Sequence, residues 1–145
     1  SLSKTFIGTR PELKSLDPGY VELVVEQIKE RANFPSEFWG LSHYFFKAPE
    51  SFVEAALKKA WKEHSKELMT KLIVELESAD DTSVDALQAD VKGWITQNEI
   101  GFGKIMMPLR VALVGALEGV DVFDIIYLIG KSETIRRIQS LIDRH

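Results

Sequence analysis

Apolar residues recur with the period of an α-helix from the first third of the chain onward. Asp17 followed by Pro18 supplies an N-cap acceptor and a proline at the first helical position, where its missing N–H costs nothing. The pattern predicts a first helix over about residues 18–31. Its core-facing positions fall at i, i+3, i+4 and i+7 and are Val21, Val24, Val25 and Ile28.

A segment dense in aromatic residues follows Pro35, and the dipeptide Ala48-Pro49 ends it. The residue before a proline is pushed away from helical dihedral angles, so both prolines mark boundaries. The density of rings exceeds what one amphipathic face needs, and we expect this helix at the centre of the first subdomain. Its large apolar residues are Phe38, Trp39, Leu41, Tyr44, Phe45 and Phe46.

The longest helical pattern runs from Ser51 to Leu76, which is long for one globular helix. The sequence leaves two alternatives: a single helix, or a break near Lys62–Lys66 that gives two antiparallel helices. His64 lies on the apolar stripe of this pattern. A core histidine with one backbone partner is the expectation for it.

The turn-prone, acidic residues 78–82 end this pattern and provide the predicted subdomain boundary. We assign residues 17–79 to a first helical subdomain and residues 80–145 to a second. Residues 1–16 show no clean period and are interrupted by Pro11, so we expect a linker or lead-in there.

Capping signals predict where the helices of the second subdomain begin. Thr82 with Asp85 three residues later resembles a capping box with Asp in place of Glu. Pro108 permits a helix to begin with it and run toward Gly119. We therefore expect one helix after Thr82 and another that starts at Pro108.

The last two helices are predicted in the same way. Asp121 can cap a short helix that Gly130 ends, because glycine readily takes a positive φ. Ser132 can cap the final helix, in which Arg136 and Arg137 are expected to face outward. No segment shows the alternation of a β-strand, so the predicted fold class is all-α.

Composition indicates an ordinary folded domain of 145 residues, with 45% hydrophobic and 28% charged residues. There is no cysteine, which excludes disulfides, thiol nucleophiles and thiolate metal sites and suits a reducing compartment. No apolar run approaches the roughly 20 residues that span a bilayer. We therefore expect a cytoplasmic location and no membrane partner, and the missing initiator Met leads us to expect an excised fragment.

The formal net charge of −4 argues against a nucleic-acid partner, because phosphate binding depends on Lys and Arg. Its distribution changes this picture. Six acids and no base lie between Glu75 and Asp90, and the remaining segments carry 18 bases against 16 acids. We expect a domain that binds RNA weakly when alone.

No arrangement of residues indicates an active site. The three histidines, His43, His64 and His145, lack metal-protease spacing, so we expect structural roles and no metal site. The segment Gly101-Phe102-Gly103-Lys104 lacks the remaining residues of a nucleotide-binding phosphate loop. There is also no Gly-x-Ser-x-Gly elbow. The chain is expected to bind rather than to catalyse.

Two motifs in the last third of the chain resemble those of a known family. Bacterial glutamyl-tRNA synthetases end in an anticodon-binding domain with a Gly-Lys, a Pro-Leu-Arg-x-Ala-Leu-x-Gly segment and a Leu-Gly-Lys-Glu before an Arg-rich terminal helix. Tyr44-Phe45-Phe46 is similar to a Tyr-Phe-Phe of the same family. The matching segments here are Gly103-Lys104-Ile105-Met106-Met107-Pro108-Leu109-Arg110-Val111-Ala112-Leu113-Val114-Gly115 and Leu128-Ile129-Gly130-Lys131-Ser132-Glu133, in which Ser132 interrupts the Gly-Lys-Glu.

The resemblance implies an all-α helical bundle of two small subdomains, the anticodon-binding domain of a class I aminoacyl-tRNA synthetase. It implies anticodon recognition of tRNA(Glu) in support of aminoacylation by a parent glutamate–tRNA ligase. The implied partners are the tRNA(Glu) anticodon loop and the parent's catalytic domain, and we expect a monomer. ATP and Mg belong to that catalytic domain, and no cofactor is implied here. The chain carries neither adenylate-handling motif of the family, so alone it is expected to be catalytically inactive.

The resemblance also implies a set of anticodon-binding residues. Unpaired N–H groups of a helix that begins at Pro108 would donate to base or phosphate oxygens, with charge supplied nearby. An arginine at the position of Arg31 would read the last anticodon base with its guanidinium fork. The alternatives are a plain helix start, a surface ion pair at Arg110 and a helix C-terminal contact by Arg31. The full set is Arg31, Lys104, Met107, Pro108, Leu109 and Arg110.

A helical protein-interaction or regulatory domain without RNA binding is the alternative function. The net acidity, the aromatic helix and the lack of a basic stripe support it. Preference for a glutamate anticodon stem-loop, with affinity that falls as salt rises, would separate the two functions.

Overall fold

The computed structural model describes residues 2–145, and every regular element in that range is helical. The all-α prediction is therefore confirmed. Three short 3-10 turns, at Pro11–Ser15, Pro35–Glu37 and His43–Phe45, accompany the α-helices. The α-helices are α1 Leu2–Thr9, α2 Pro18–Ile28, α3 Phe38–Ser42, α4 Glu54–Ala60, α5 Ser65–Ser78, α6 Val84–Gln97, α7 Phe102–Val114, α8 Val122–Ile129 and α9 Lys131–Arg144. The longest have 14 residues, and within residues 2–145 none has the length and apolarity to cross a bilayer.

The chain divides into two compact units, one that ends at Lys47 and one from Ala48 to His145. The sequence placed the boundary at residues 79 and 80 instead. The turn after Ser78 joins α5 to α6 inside the second unit, because a polar turn marks a surface connection whether or not a domain ends there. Residues 2–15, expected as a lead-in, form α1 and a 3-10 turn of the first unit, and both Phe6 and Leu13 are buried.

The first unit has an apolar core built on α2. Asp17 caps this helix as predicted, since its carboxylate accepts a hydrogen bond from the Gly19 N–H at 3.0 Å. All four stripe residues of α2 are buried. The Tyr20 hydroxyl donates to the Phe45 carbonyl at 2.6 Å, which fastens the aromatic segment to α2.

The aromatic segment is less helical than the sequence predicts. α3 ends at Ser42 and a 3-10 turn follows, so the rings point in several directions rather than along one face. Phe6 packs edge-on against Phe38 at 5.6 Å, and Trp39 stacks on Phe46 at 6.0 Å. The Arg10 guanidinium lies 3.9 Å above the Trp39 ring. The segment forms much of the first unit's core, as expected.

The second unit is organised around α7, which contacts α4, α5, α6, α8 and α9. The chain breaks between α4 and α5, which confirms the predicted break near Lys62–Lys66, but α4 packs mainly against α7 rather than as an antiparallel partner of α5. Ser65 stabilises this break because its hydroxyl accepts the Lys62 N–H at 2.7 Å. Gly115 ends α7 with φ of +84°, and a Cβ there would lie 2.9 Å from the Ser51 carbonyl oxygen. Only glycine suits both the conformation and the close approach.

Two capping predictions for the second unit are confirmed and two are displaced. Asp121 caps α8 by accepting the Phe123 N–H at 2.9 Å, and Gly130 follows α8 with φ of +88°. The N-cap of α6 is Ser83 rather than Thr82, because it is the Ser83 hydroxyl that accepts the Ala86 N–H. α9 begins at Lys131, so Ser132 lies inside the helix rather than before it.

Two further predictions for α7 and α9 are wrong. α7 begins at Phe102, so Pro108 lies inside the helix instead of starting it. Pro108 has no N–H to donate to the Lys104 carbonyl, and packing of the buried residues around it offsets this lost bond. Arg137 is buried rather than outward-facing, whereas Arg136 is exposed as expected.

Candidate nucleic-acid interface

A groove in the second unit brings together two of the predicted binding residues. Lys104 and Met107, one turn apart near the start of α7, face the end of α4 and the α4–α5 connection across a volume of about 510 Å³. We call this the basic groove. Its lining residues are Lys59, Ala60, Lys62, Glu63, His64, Ser65, Leu68, Gly101, Gly103, Lys104 and Met107.

Cations predominate in the basic groove. Lys59, Lys62 and Lys104 come from three separate segments and are all exposed, whereas Glu63 is the one acid of the lining. The groove also receives the N-terminus of α7, a helix of 13 residues, where backbone N–H groups carry partial positive charge. The lining of the basic groove therefore carries an excess of positive charge, although the net charge of the chain is negative.

The floor of the basic groove is apolar and its entrance lacks bulky side chains. Leu68 and Met107 are partly buried there. Gly101 is the N-cap of α7, and Gly103 lies in its first turn with the Met107 sulfur 4.0 Å from the position of a Cβ. An apolar floor rimmed by lysines can accept a flat, partly apolar group that carries negative charge at its edge.

Local sequence explains how the lysines reach the groove. α4 ends at Ala60 and α5 begins at Ser65, so Lys62 lies in the intervening turn rather than on a helix face. Its N–H is held by the Ser65 hydroxyl at 2.7 Å, and its ammonium group donates to the Lys58 carbonyl at 3.1 Å. His64 precedes α5 and is exposed on the groove, so the expectation of a core histidine is wrong for this residue.

Pro108 and Leu109 do not line the groove, because both are buried in the core and Leu109 has no exposed surface. Their expected role depended on a helix that starts at Pro108. The exposed helix start lies six residues earlier, where Phe102 follows its N-cap Gly101. The motif lies on α7, and its proline and leucine anchor that helix in the core of the second unit.

Arg110 and Arg137 hold the end of α7. Arg110 donates from Nη1 to the Val120 carbonyl at 2.9 Å, in the segment that leads into α8. Arg137 donates from Nη1 to the Leu113 carbonyl at 2.9 Å and from Nε to Glu133 at 2.7 Å. The Leu113 carbonyl belongs to the last turn of α7, where cations are favoured, whereas the Val120 carbonyl belongs to the connection between α7 and α8.

Arg31, the remaining predicted residue, belongs to the first unit. It lies in the turn after α2, its side chain is exposed, and its N–H donates to the Ile28 carbonyl at 2.9 Å. α2 ends three residues before it, so Arg31 is part of a loop rather than of a helix end.

The acidic segment from Glu75 to Asp90 lies on α5, α6 and the turn between them, within the second unit. Burial and the charge of Asp90 raise the pKa of Glu75 above its ordinary range. Both residues line another groove, of about 760 Å³, together with Lys92 and Trp94. Phosphate is repelled by this concentration of carboxylates, so the acidic groove does not suit nucleic acid.

Sequence reasoning missed Lys59, Lys62 and His64 as members of the site. The run Lys58-Lys59-Ala60-Trp61-Lys62 was visible in the sequence as three lysines close to one tryptophan. These residues line a groove only because the chain breaks between α4 and α5 and because α4 packs against α7. Hydrophobic periodicity alone establishes neither feature.

Comparison with known proteins gives consistent matches over nearly the whole chain. A family model described as an anticodon binding domain matches residues 4–142. The glutamate–tRNA ligase of Christiangramia forsetii is 52% identical over 127 residues, which cover 88% of this chain and 25% of that protein. The ligase of Flavobacterium johnsoniae is 51% identical over 119 residues, which cover 82% and 24%.

Solved structures agree with these matches. The crystal structure of a glutamate–tRNA ligase from Elizabethkingia meningosepticum superposes with a TM-score of 0.84 at 34% identity, over 99% of this chain and 29% of that one. The synthetase of Elizabethkingia anophelis gives a TM-score of 0.83 at 34% identity, over 98% and 28%. The chain thus spans about a quarter of the length of the curated relatives it matches.

Proposed function

The chain belongs to the anticodon binding domain family in the form found in glutamate–tRNA ligases, and we propose that it recognises the anticodon loop of tRNA(Glu). The observation that carries this proposal is the basic groove. Lys59, Lys62 and Lys104 surround an apolar floor at the N-terminus of α7, an arrangement that can hold an unpaired nucleotide.

Unpaired RNA offers a flat base and a charged backbone at the same time. In the proposed complex a base lies against Leu68 and Met107, and the lysine ammonium groups contact the phosphates beside it. N–H groups at the start of α7 can donate to a phosphate or base oxygen. The glycines at the entrance leave room for the ribose to approach the backbone.

The other predicted residues take different roles in this proposal. Pro108, Leu109 and Arg110 fix α7 through burial and the hydrogen bond to Val120, so they position the groove without contacting RNA. Arg31 reads the last anticodon base from its loop in the first unit, since a guanidinium fork can contact a base edge bidentately. Lys104 and Met107 contact the loop directly.

The relatives of this chain are whole glutamate–tRNA ligases, so the proposal extends to the activity of such a parent enzyme. We propose that a parent glutamate–tRNA ligase attaches glutamate to tRNA(Glu) in a separate catalytic domain that uses ATP and Mg. This chain then contributes recognition rather than chemistry, and its partners are the anticodon loop and that catalytic domain. A cytoplasmic location and a monomeric state complete the proposal.

Removal of groove charges tests the proposal. A glutamate anticodon stem-loop is titrated with the wild-type chain and with Lys62→Gln, Lys104→Gln and the double variant over a salt series. Each groove lysine that contacts phosphate should contribute about 0.7 to the slope of log affinity against log salt. The double variant should therefore lose about 1.4 of that slope, together with affinity.

Lys58→Gln provides the matched control. Lys58 is the neighbouring lysine on α4, is ion-paired with Glu54 at 3.5 Å and is not part of the groove lining. Its replacement changes net charge by the same amount and should leave the salt slope unchanged. Equal slopes for all variants would contradict a role for the basic groove, and no binding by the wild-type chain at low salt would favour a protein-interaction domain.

A further inference from the structure

Phe34 is a large aromatic side chain that the fold leaves in solvent. It is 66% exposed, whereas the core aromatics of the same unit, Phe6, Phe38, Tyr44 and Phe45, are at most 3% exposed. Burial of a phenylalanine contributes about 1.5–3 kcal/mol to folding, and this position forgoes most of that contribution. A single exposed apolar residue is common on protein surfaces. Whether Phe34 has a binding role therefore depends on the residues around it.

The backbone around Phe34 is fixed. Pro35 disfavours helical dihedral angles in the preceding residue, and Phe34 is extended with φ of −137° and ψ of 149°. The Asn33 N–H donates to the Glu37 carboxylate at 2.7 Å, and the Glu37 N–H donates to the Phe34 carbonyl at 3.0 Å. These contacts on both sides of Phe34 hold its main chain in place while its ring remains in solvent.

Arg31 is a cation on the same short loop. Lys29, two residues before it, is ion-paired with Glu26 at 2.7 Å, whereas within residues 2–145 no ion pair is seen for Arg31. An exposed guanidinium and an exposed aromatic ring therefore lie three residues apart on a pinned loop. This is the chemistry that recognises unpaired bases, since a ring stacks on the base and a guanidinium contacts its edge.

We propose that Phe34 is the stacking platform for the base that Arg31 reads, which is the last anticodon base. This inference rests on the proposed function and adds a specificity-determining residue to it. The ring of Phe34 supplies affinity for any base because every base has a π-face. Arg31 supplies the choice among bases, so the two residues divide affinity and discrimination between them.

The test combines substitutions at Phe34 with an RNA that lacks the base. The wild-type chain, Phe34→Ala and Phe34→Trp are titrated with the glutamate anticodon stem-loop and with the same stem-loop abasic at the last anticodon position. Phe34→Ala should weaken binding to the intact loop by about 5- to 100-fold. Phe34→Trp should restore it, and all three proteins should bind the abasic loop equally weakly.

Leu23→Ala is the matched control, because Leu23 is another exposed apolar residue of the same unit, 54% exposed on α2. It should bind like the wild type, and circular dichroism should show unchanged helix content in every variant. If the wild-type chain binds the intact loop and Phe34→Ala binds it equally well, the stacking role is overturned while the proposed function stands. An equal loss on the abasic loop also overturns it. If the wild-type chain binds no RNA at low salt, both proposals fall.

Discussion

The buried charge of Arg137 allows us to predict how much Glu133→Gln lowers the free energy of unfolding. The Arg137 guanidinium is almost fully buried between α9 and α7, where its Nε donates to Glu133 at 2.7 Å and its Nη1 donates to the Leu113 carbonyl at 2.9 Å. Glu133 is partly exposed and also binds the exposed Arg136 at 2.7 Å. Glutamine keeps an acceptor at this position but removes the counter-charge of a buried cation.

The magnitude follows from the burial of the two partners. Removal of one partner from a fully buried ion pair costs about 3–5 kcal/mol, because the other charge remains without compensation. The Glu133 side chain is 29% exposed, so water screens part of this effect, and Gln retains one hydrogen bond. We therefore expect the free energy of unfolding to fall by about 2–3 kcal/mol at pH 7.

Urea denaturation at pH 7 measures this change, and Arg136→Gln is its control. Arg136 forms an exposed ion pair with the same carboxylate, so its loss should cost less than about 1 kcal/mol. A Glu133→Gln variant as stable as the wild type would refute the claim that Arg137 needs this counter-charge.

The same pair predicts a dependence on pH. Hydrogen bonds from Arg136 and Arg137 hold the pKa of Glu133 below its ordinary range, although partial burial opposes them. Because the folded-state pKa is lowered, the stabilisation is complete above the ordinary value of about 4.3 and is lost as the pH falls through the lowered value. The stability difference between wild type and Glu133→Gln should therefore shrink below about pH 4. A difference that stays constant to pH 2 would contradict this account.

Four further substitutions test other parts of the structure. Gly115→Ala should lower the free energy of unfolding by at least about 1–2 kcal/mol, since φ is +84° and the new Cβ meets the Ser51 carbonyl; unchanged urea unfolding would contradict this. Gly93→Ala should raise it by about 1 kcal/mol, because Gly93 lies within α6 with open space around it; a lower melting temperature would count against that expectation. Gly103→Leu should fill the basic groove and weaken RNA binding without loss of helix content, so undiminished RNA affinity would place the RNA elsewhere. Arg31→Gln should reduce discrimination at the last anticodon base more than overall affinity, and equal losses for all anticodon variants would reject its role.

Local signals predicted the parts of the fold that depend on neighbouring residues. Asp17 and Asp121 cap helices by accepting hydrogen bonds from residues two positions later. Because both partners lie within one helical turn, the cap can be predicted from the local sequence. The missed N-cap at Ser83 lies one residue from the predicted one, because Thr82 instead donates its hydroxyl to Asp80 at 2.6 Å. Hydroxyl residues in succession compete for such roles, and the sequence does not decide between them.

Features set by packing between helices were not predictable in this way. Pro108 is tolerated inside α7 because this helix is surrounded by the others of the second unit, whose packing offsets the lost hydrogen bond. Arg137 was expected on the surface, yet it lies on the buried stripe of α9 beside Ile138, where it donates to the Leu113 carbonyl. The basic groove depends on segments some forty residues apart, so only Lys104 and Met107 of its lining were predicted as binding residues.

The most direct test of the account compares anticodon loops rather than protein variants. The affinity of this chain is measured for the glutamate anticodon stem-loop and for stem-loops in which one anticodon base at a time is replaced, at low salt and over a salt series. We predict that a replaced base weakens binding by about tenfold and that affinity falls as salt rises. Equal affinity for every anticodon at all salt concentrations would contradict it.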